Sequence, residues 1–343
     1  MPLMRAPGRI NLIGEHTDYN DGFVMPVAIN LEMVCRFEER GDDIVKLLSE
    51  GFGSATFHIG DDKRDGRWSD YVKGVALYLS EGYDLIGWEG HMESSIPTGS
   101  GLSSSAAIEI LSAGIMQQVS SLDISPLELV EICRKAENEF VGVRCGIMDQ
   151  FAVAFGRRGQ SIFLDCRSLR HEFVPLPDDI MIFVVDTGIR RELSKSGYEK
   201  RRAECEKASA ILGKSLRDAD LDEVLDLPHP LDKRSRHVVE ENDRVLAARE
   251  ALRGNDLEKF GDLMFQSHHS LKNLYEVSSP ELNRAVWAAK EAGALGARMT
   301  GAGFGGCAIA IVQRENAEAV KGVLEDEFLV YECETADGAS LER

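Results

Sequence analysis

Apolar residues occur along the chain in short runs and in helical periodicities, separated by polar segments. Residues 180–185 and 307–312 are each six consecutive apolar residues. Runs of this length predict core strands and are too short to cross a bilayer. Residues 68–79 carry apolar side chains at every third or fourth position, which predicts a helix. Residues 213–290 are predicted to be mostly helical.

A loop rich in glycine and serine interrupts this pattern at residues 97–107, which read PTGSGLSSSAA. Glycines allow positive φ and close approach of a ligand, and a serine followed by Ala-Ala-Ile-Glu is typical of a helix start. Free amides and the positive end of the helix dipole favour a phosphate there. A flexible connection before a well-capped helix explains the pattern equally well. It is not a P-loop, because no Gly-Lys-Ser/Thr follows the glycines.

Length and charge narrow the class of protein. A chain of 343 residues suggests two or three domains, or one two-lobed unit. The net charge of -19 opposes binding to nucleic acid, which requires a basic surface, but does not exclude ATP. We attribute the charge to solubility. The clearest boundary in the chain is the segment 175–179, PLPDD.

The cysteines and the start of the chain indicate the compartment. The seven cysteines are scattered and contain no Cys-x-x-Cys pair, so neither a disulfide framework nor a zinc ribbon is predicted. No apolar signal segment is present at the start of the sequence. We therefore expect a cytoplasmic protein with reduced thiols and no membrane partner.

Ionisable residues gather in the first twenty positions. Arg9, Glu15, His16 and Asp18 lie within ten residues of one another, between two segments predicted to be strands. The cluster fits recognition of a polyol and fits local ion pairs in a solvated loop equally well. Asp149 lies among apolar neighbours, where a carboxylate is usually paired, capping or functional.

Other candidates are weaker when taken from the residues alone. The spacing around Glu137 favours a solvent-facing acid, and Trp68 at a helix start more often covers a core than stacks on a base. Residues 301–306 match the dinucleotide pattern Gly-x-Gly-x-x-Gly. A helix is predicted before these glycines and a strand after them, which reverses the dinucleotide-binding order, so we reject a dehydrogenase.

Several motifs together are similar to one family. Residues 8–19, GRINLIGEHTDY, resemble the galactokinase signature, and residues 97–107 resemble the phosphate loop of the GHMP small-molecule kinases. Residues 300–306 are similar to the third glycine motif of that family, and residues 145–150 and 198–205 also match. The chain therefore resembles the GHMP kinases and, within them, the galactokinases, over nearly its whole length.

The resemblance implies a two-lobed α+β fold. Its N-terminal lobe, expected over residues 1–175, is similar to domain 2 of ribosomal protein S5. Its C-terminal lobe, expected over residues 176–343, is ferredoxin-like. The active site is expected in the cleft between the lobes, and the protein is expected to be a monomer or a weak homo-oligomer.

The resemblance also implies roles for individual residues. Asp149 is the expected catalytic base, and Arg9 the expected stabiliser of its carboxylate and of the transferring phosphoryl group. Glu15, His16, Asp18, Gly146 and Tyr198 are the expected sugar-binding residues. Trp68 is expected near the adenine, and Ser105 and Glu137 at Mg²⁺. The expected phosphate cradle consists of Gly99, Ser100, Gly101, Leu102, Ser103, Ser104 and Ser105.

The implied activity is phosphorylation of the anomeric hydroxyl of D-galactose by ATP with Mg²⁺. Alternatives are a GHMP kinase for N-acetylgalactosamine, arabinose or galacturonate, and a non-catalytic sensor of galactose and ATP. Gly197 departs from the family pattern, because a bulkier or polar residue is common before Tyr198. The acidic Glu15 argues against galacturonate, and the complete serine run argues against a sensor.

Overall fold

A computed structural model describes residues 1–189 and 194–342 as a mixture of strands and helices. The strands are β1 (Leu3–Asn11), β2 (Phe23–Val24), β3 (Pro26–Glu39), β4 (Ile44–Ser49), β5 (Gly53–His58), β6 (Trp88–Ser94), β7 (Gln160–Asp165), β8 (His171–Pro175), β9 (Ile180–Asp186), β10 (Gly296–Met299), β11 (Cys307–Gln313), β12 (Leu329–Cys333) and β13 (Ser340–Glu342). The α-helices are α1 (Ser69–Ser80), α2 (Ser104–Val119), α3 (Pro126–Lys135), α4 (Met148–Phe155), α5 (Ser194–Leu212), α6 (Leu221–Leu225), α7 (Leu231–Arg253), α8 (Leu257–Ser270), α9 (Pro280–Glu291) and α10 (Ala317–Glu325).

Three sheets organise the chain. The first has the strand order β13-β1-β3-β6-β4-β5, the second β10-β11-β9-β12 and the third β2-β7-β8. Within these sheets β4 runs parallel to β6, and the other strand pairs are antiparallel. Helix α2 packs on β1 and β3, so the residues at its start lie beside the end of β1.

The two continuously apolar runs form the centre of the second sheet, as predicted. In β9, Ile180, Ile182 and Val184 belong to one hydrophobic core, whereas Met181, Phe183 and Val185 belong to another. Residues of β11 alternate in the same way. Because both faces of this sheet are buried, both strands lack the alternation of apolar and polar residues that marks a half-exposed strand.

A bulge in β1 lets the glycine-serine loop rest on this strand. The pairing with β3 shifts register between Pro7 and Gly8. A Cβ atom on Gly8 would lie 2.9 Å from the carbonyl oxygen of Leu102, so a side chain here would displace the loop. The next amide, that of Arg9, donates to the same carbonyl at 3.1 Å. The loop is therefore held against the strand that carries Arg9.

Buried polar contacts join the start of the chain to α7 and α8. The carboxylate of Glu241 accepts hydrogen bonds from the amide of Gly14 at 3.0 Å, from Ser267 at 2.5 Å and from Arg244 at 2.7 Å. Burial opposes ionisation of Glu241, but Arg244 and other cations outweigh it and lower its pKa to about 2. Glu241 is therefore a charged anchor between the two halves of the chain.

The structure corrects one detail of the predicted elements. Two strands, β2 and β3, follow residue 22, and α5 begins at Ser194. The short strand β10 precedes the C-terminal glycine motif, where a helix was predicted. The glycines therefore connect two antiparallel strands, and the case against a dinucleotide site is unchanged because no helix follows them directly.

The last strand crosses the predicted lobe boundary. In β13, Leu341 pairs with Met4 of β1, so residues 340–342 lie in the first sheet. The division after Pro175 stays a prediction. No helix in residues 1–189 or 194–342 combines the length and apolarity that a membrane crossing requires.

Candidate active site

One cavity of about 650 Å³ brings together most of the predicted site residues. Those that line it are Arg9, Glu15, His16, Asp18, Trp68, Gly99, Gly101, Ser103, Ser104, Ser105, Glu137, Gly146, Asp149 and Tyr198. Ser100 and Leu102 do not line it. The hydroxyl of Ser100 donates to the carbonyl of Pro97 at 2.6 Å, and the Leu102 side chain is in the hydrophobic core.

Asp149 is held by a guanidinium fork. It lies in the first turn of α4, and its side chain is about 25% exposed to the cavity. Arg9 donates from Nε to Oδ1 at 2.9 Å and from Nη2 to Oδ1 and Oδ2 at 2.7 and 2.8 Å. The remaining nitrogen, Nη1, donates to the carbonyl of Gly101 at 2.6 Å. Bidentate pairs of this kind fix the plane and the position of a carboxylate.

Ser103 provides a further donor to the same carboxylate. Its hydroxyl donates to Oδ2 of Asp149 at 2.6 Å. The family resemblance implies a place for Ser103 only in the phosphate cradle, whereas its side chain points towards the expected base. Its backbone remains at the start of α2.

The glycine-serine loop has the geometry of an anion site. Gly99 and Gly101 have φ values of +69° and +85°, which a residue with a side chain would rarely adopt. The first amides of α2, which begins at Ser104, have no acceptors within their own helix. Together with the helix dipole, these amides favour an anionic group over the loop.

Glu15 also lines the cavity and is almost completely buried. One of its carboxylate oxygens accepts a hydrogen bond from the amide of Asn11, and the other accepts one from the backbone amide of Gly301 at 2.6 Å. Burial raises the pKa of Glu15, while Arg298 and Arg9 act in the opposite direction. Glu15 therefore links the first loop to the C-terminal glycine motif as well as lining the cavity.

Asp18 is close to two other carboxylates. Burial, followed by the charges of Asp149 and Glu15, raises the pKa of Asp18 to about 7. A Cβ atom on Gly146 would overlap the Asp18 carboxylate, so the absence of a side chain at this position makes room for the acid. The closeness of these acids favours a ligand whose hydroxyl groups donate hydrogen bonds.

Aromatic rings surround His16. Its Nδ1 forms a 2.8 Å hydrogen bond with the hydroxyl of Tyr19, which pairs with the hydroxyl of Tyr275 at 2.7 Å. The ring of Tyr198 lies 5.8 Å from that of His16, centroid to centroid. Burial lowers the pKa of His16 well below its usual value, so its imidazole is neutral. Tyr198 of α5 thus contributes an aromatic wall from the second half of the chain.

Glu137 is buried, which corrects the solvent-facing position that its spacing suggested. It lies in a π-helical turn, Ala136–Val141, and is hydrogen-bonded to the hydroxyl of Ser105. Gln150 donates to its Oε2 at 2.7 Å, and the thiol of Cys145 donates to the same oxygen at 3.1 Å. Burial raises the pKa of Glu137.

The pair formed by Ser105 and Glu137 fits a magnesium ion. A hydroxyl and a carboxylate are hard oxygen ligands, and Mg²⁺ is usually bound by one or two carboxylates with phosphate and water. The hydrogen-bond partners of Glu137 described above are an amide, a thiol and a hydroxyl, so a cation would compensate charge on its buried carboxylate. In the same ranges, no three His, Cys, Asp or Glu side chains are grouped to hold a metal by themselves.

Trp68 lines the cavity beside residues that were not predicted from the sequence. Its indole nitrogen donates to the carbonyl of Phe52 at 3.1 Å. Residues 49–52, the turn between β4 and β5, line the cavity together with Tyr71. The 49% exposure of Phe52 is consistent with an aromatic side chain placed for contact with a ligand.

Two buried residues that shape the site also escaped prediction. Asn11 positions Glu15, as described above. Arg298 is completely buried, donates to the carbonyl of Asn11 at 3.1 Å and lies 3.8 Å from Glu15. The sequence shows Arg298 shortly before the C-terminal glycine motif. Its contact with Glu15 could not be predicted because the two residues are far apart in the sequence.

Comparisons with known proteins agree with this geometry. The family model for the "GHMP kinases N terminal domain" matches residues 70–157, and the model for "GHMP kinases C terminal" matches residues 248–329. The fold and the cavity thus define a GHMP small-molecule kinase. The model for the "Galactokinase galactose-binding signature" matches residues 3–37.

Individual relatives narrow the family. Galactokinases of Thermococcus kodakarensis and Pyrococcus furiosus are 46% and 44% identical to the chain, covering 92% and 95% of it and 90% and 93% of their own lengths. The crystal structure of Lactococcus lactis galactokinase complexed with galactose superposes with a TM-score of 0.94 at 40% identity, covering 99% of this chain and 94% of that one. The chain therefore belongs to the galactokinases.

Family membership confirms two predictions. The fold is the α+β fold of the GHMP kinases, and the protein is a kinase for which ATP is the phosphoryl donor. The roles of the individual cavity residues stay predictions and are taken up next.

Proposed function

We propose that the protein transfers the γ-phosphoryl group of ATP to the anomeric hydroxyl of D-galactose. Asp149 accepts the proton of that hydroxyl, and Arg9 stabilises both the carboxylate and the charge on the transferring group. The observation that carries this proposal is the partly exposed carboxylate of Asp149, which Arg9 holds at 2.7–2.9 Å in the cavity that the acidic residues and the glycine-serine loop also line. Direct transfer requires a base and a phosphate site in one cavity, and this lining supports the proposal.

Glu15, His16 and Asp18 receive the sugar at the acidic end of the cavity, with Gly146 and Tyr198 closing the pocket. Carboxylates accept hydrogen bonds from sugar hydroxyls, and a neutral imidazole supplies both a donor and an acceptor. The relatives are galactokinases, and the Lactococcus lactis structure is a complex with galactose, which supports galactose as the sugar. An anionic sugar such as galacturonate would meet unfavourable charge from Glu15.

ATP lies along the rest of the cavity. The backbone of residues 99–105 cradles its phosphates, and Trp68 lies near its adenine. Ser105 and Glu137 would hold Mg²⁺, which would neutralise phosphate charge. Because the loop lacks a P-loop lysine, backbone amides, the α2 dipole and Arg9 supply the protein's own share of the stabilisation.

Residues 1–175 form the N-terminal lobe in this proposal and residues 176–343 the C-terminal lobe. The sugar end then combines Glu15 and Asp18 of one lobe with Tyr198 of the other. The buried contacts of Glu15 with Gly301 and Arg298 support this arrangement, since they join the two lobes directly behind the sugar site.

The test is ADP release with ATP and Mg²⁺ over a panel that includes galactose, N-acetylgalactosamine, arabinose, galacturonate and glucose. We expect the highest kcat/KM for galactose. Preference for another sugar would correct the substrate, and binding without turnover on any sugar would instead indicate a sensor.

The Asp149→Asn variant tests the proposed base. General-base help contributes roughly 10²–10⁴ in rate, so we expect kcat to fall by about that factor. ATP should still bind, because Asp149 faces the loop through Arg9 and Ser103 and is not itself part of the cradle. Near-normal turnover in this variant would remove Asp149 from the role of base.

A further inference from the structure

Ser103 adopts a backbone conformation that serine seldom takes. Its φ and ψ are +63° and +43°, in the left-handed region that favours glycine. A residue other than glycine held there costs stability, and such positions cluster at functional sites. Two other residues of the loop with positive φ, Gly99 and Gly101, are glycines. The backbone conformation at position 103 therefore does not explain why a serine is present, and we look for the role of its hydroxyl.

The reason is not capping of α2. Ser103 occupies the N-cap position and its carbonyl accepts the first helical hydrogen bond, from the amide of Ala107 at 3.0 Å. Serine at this position ordinarily bonds an amide of the first turn through its side chain. Here the side chain makes no capping hydrogen bond and donates instead to Asp149 at 2.6 Å. This choice leaves a helix amide available and connects the loop to the acid.

Three contacts join the loop to the Arg9–Asp149 pair. The Arg9 amide and its Nη1 reach the carbonyls of Leu102 and Gly101, and Ser103 reaches Oδ2 of Asp149. Of these, only the Ser103 bond runs from the loop to the carboxylate itself. Phosphoryl transfer depends on in-line placement, so the distance from base to phosphate loop must be held closely.

Resting on the proposed role of Asp149, we propose that Ser103 is a positioning residue for the phosphoryl transfer: its hydroxyl sets Asp149 in register with the phosphate loop. Its side chain is therefore not a phosphate ligand. The guanidinium donors of Arg9 are fixed in one plane, whereas a hydroxyl hydrogen can rotate. Ser103 can thus orient Oδ2 and still release the lone pair that receives the sugar's proton.

Ser103→Gly is the appropriate variant, because it removes the hydroxyl while relieving the left-handed backbone. We expect kcat with galactose to fall roughly 10- to 100-fold, the factor that corresponds to one hydrogen bond to a charged group. The KM values for galactose and for ATP with Mg²⁺ should change less than about threefold, since ligand contacts remain. The thermal midpoint should not fall.

Ser121→Gly is the matched control. Ser121 also has a positive φ, +52°, and lies exposed between α2 and α3, away from the cavity. It should show the same backbone effect on the thermal midpoint with an unchanged kcat. Loss of kcat in the control as well would assign the effect to the backbone and overturn the proposal.

A double-mutant cycle tests whether Ser103 acts through Asp149. In the Asp149→Asn background, whose residual rate is followed at high enzyme concentration, Ser103→Gly should lower kcat less than about twofold. An equal loss in both backgrounds, or a loss confined to the KM for ATP, would make Ser103 a phosphate ligand or a purely structural residue. A nearly normal kcat for Asp149→Asn would instead refute the role of Asp149 as the base, and this inference with it. If the residual rate of Asp149→Asn is too low for a further decrease to be measured, the separate effects of Ser103→Gly on kcat and on the KM for ATP distinguish a positioning residue from a phosphate ligand.

Discussion

Asp18 places a charge where the folded protein disfavours it, and this has a measurable effect on stability. Its pKa is raised from 3.8 to about 7 by burial and by the charges of Asp149 and Glu15. A shift of about three units corresponds to roughly 4 kcal/mol, at about 1.36 kcal/mol per unit. Because Asp18 is only half-buried, solvent screens part of this electrostatic penalty. We expect ionisation of Asp18 to lower the free energy of unfolding by about 2–4 kcal/mol.

The pH dependence follows from the direction of the shift. Between pH 3.8 and about 7 the folded protein binds a proton at Asp18 that the unfolded chain has released. Stability from this group therefore falls as the pH rises through that window and levels off above it. Asp18→Asn removes the titration, so the variant should gain stability over the native protein as the pH rises.

Differential scanning fluorimetry at pH 5, 6, 7 and 8 measures this gain. For a chain of 343 residues, 1 kcal/mol moves Tm by about 1–2 °C. Because only about two thirds of the window between 3.8 and 7 lies above pH 5, the difference in Tm between Asp18→Asn and the native protein should grow by about 2–4 °C from pH 5 to pH 8. Affinity for galactose should fall at the same time, because the variant loses a sugar-binding carboxylate.

Asp42→Asn provides a control in which the substituted carboxyl titrates below the measured pH range. The pKa of Asp42 is lowered by its hydrogen bond with Arg40, so its charge is favourable in the folded protein. Asp42 is therefore ionised in both the folded and the unfolded protein from pH 5 to pH 8, and the Tm difference between this variant and the native protein should be constant over that range. A Tm difference for Asp18→Asn that is likewise constant from pH 5 to pH 8, or that shrinks as the pH rises, would refute the account of Asp18.

Two further substitutions test other parts of the site. Gly146→Ala should raise the KM for galactose at least tenfold, because the new Cβ overlaps the Asp18 carboxylate. Gly82→Ala is the control and should be neutral, because the space around its Cβ is open. Steady-state kinetics and Tm distinguish the two variants. Glu137→Gln should leave calorimetric binding of ATP without metal unchanged and abolish most of the tightening that Mg²⁺ produces. Equal tightening in both proteins would exclude Glu137 as a ligand.

The elements that could be predicted are those whose cause is local. The continuous apolar runs of β9 and β11 predict buried strands, because each face of that sheet packs against a hydrophobic core. Ser125 and Pro126 mark the start of α3, where the Ser125 hydroxyl accepts from the amide of Glu128 at 3.2 Å. Asp149 could be singled out because a carboxylate among apolar residues needs a partner.

The rest depends on contacts between residues distant in the sequence. Glu137 resembled a surface acid because its burial is imposed by α2 and by Gln150, not by its own neighbours. Its role was suggested by family resemblance alone. The inward turn of Ser100 depends on a local bond to Pro97 that no pattern specifies. Arg298 and Asn11 act on Glu15 from opposite ends of the chain.

The charge distribution of the cavity explains how an acidic protein can hold a polyanion. Among the described lining residues, Arg9 is the one Lys or Arg side chain, while several acids line the same space. Arg9 is paired with Asp149, which leaves only part of its charge for the transferring phosphoryl group. The phosphates must then rely on backbone amides at the start of α2 and on a cation near Glu137. Binding of ATP should consequently depend more steeply on Mg²⁺ than in kinases that place a lysine on the phosphates.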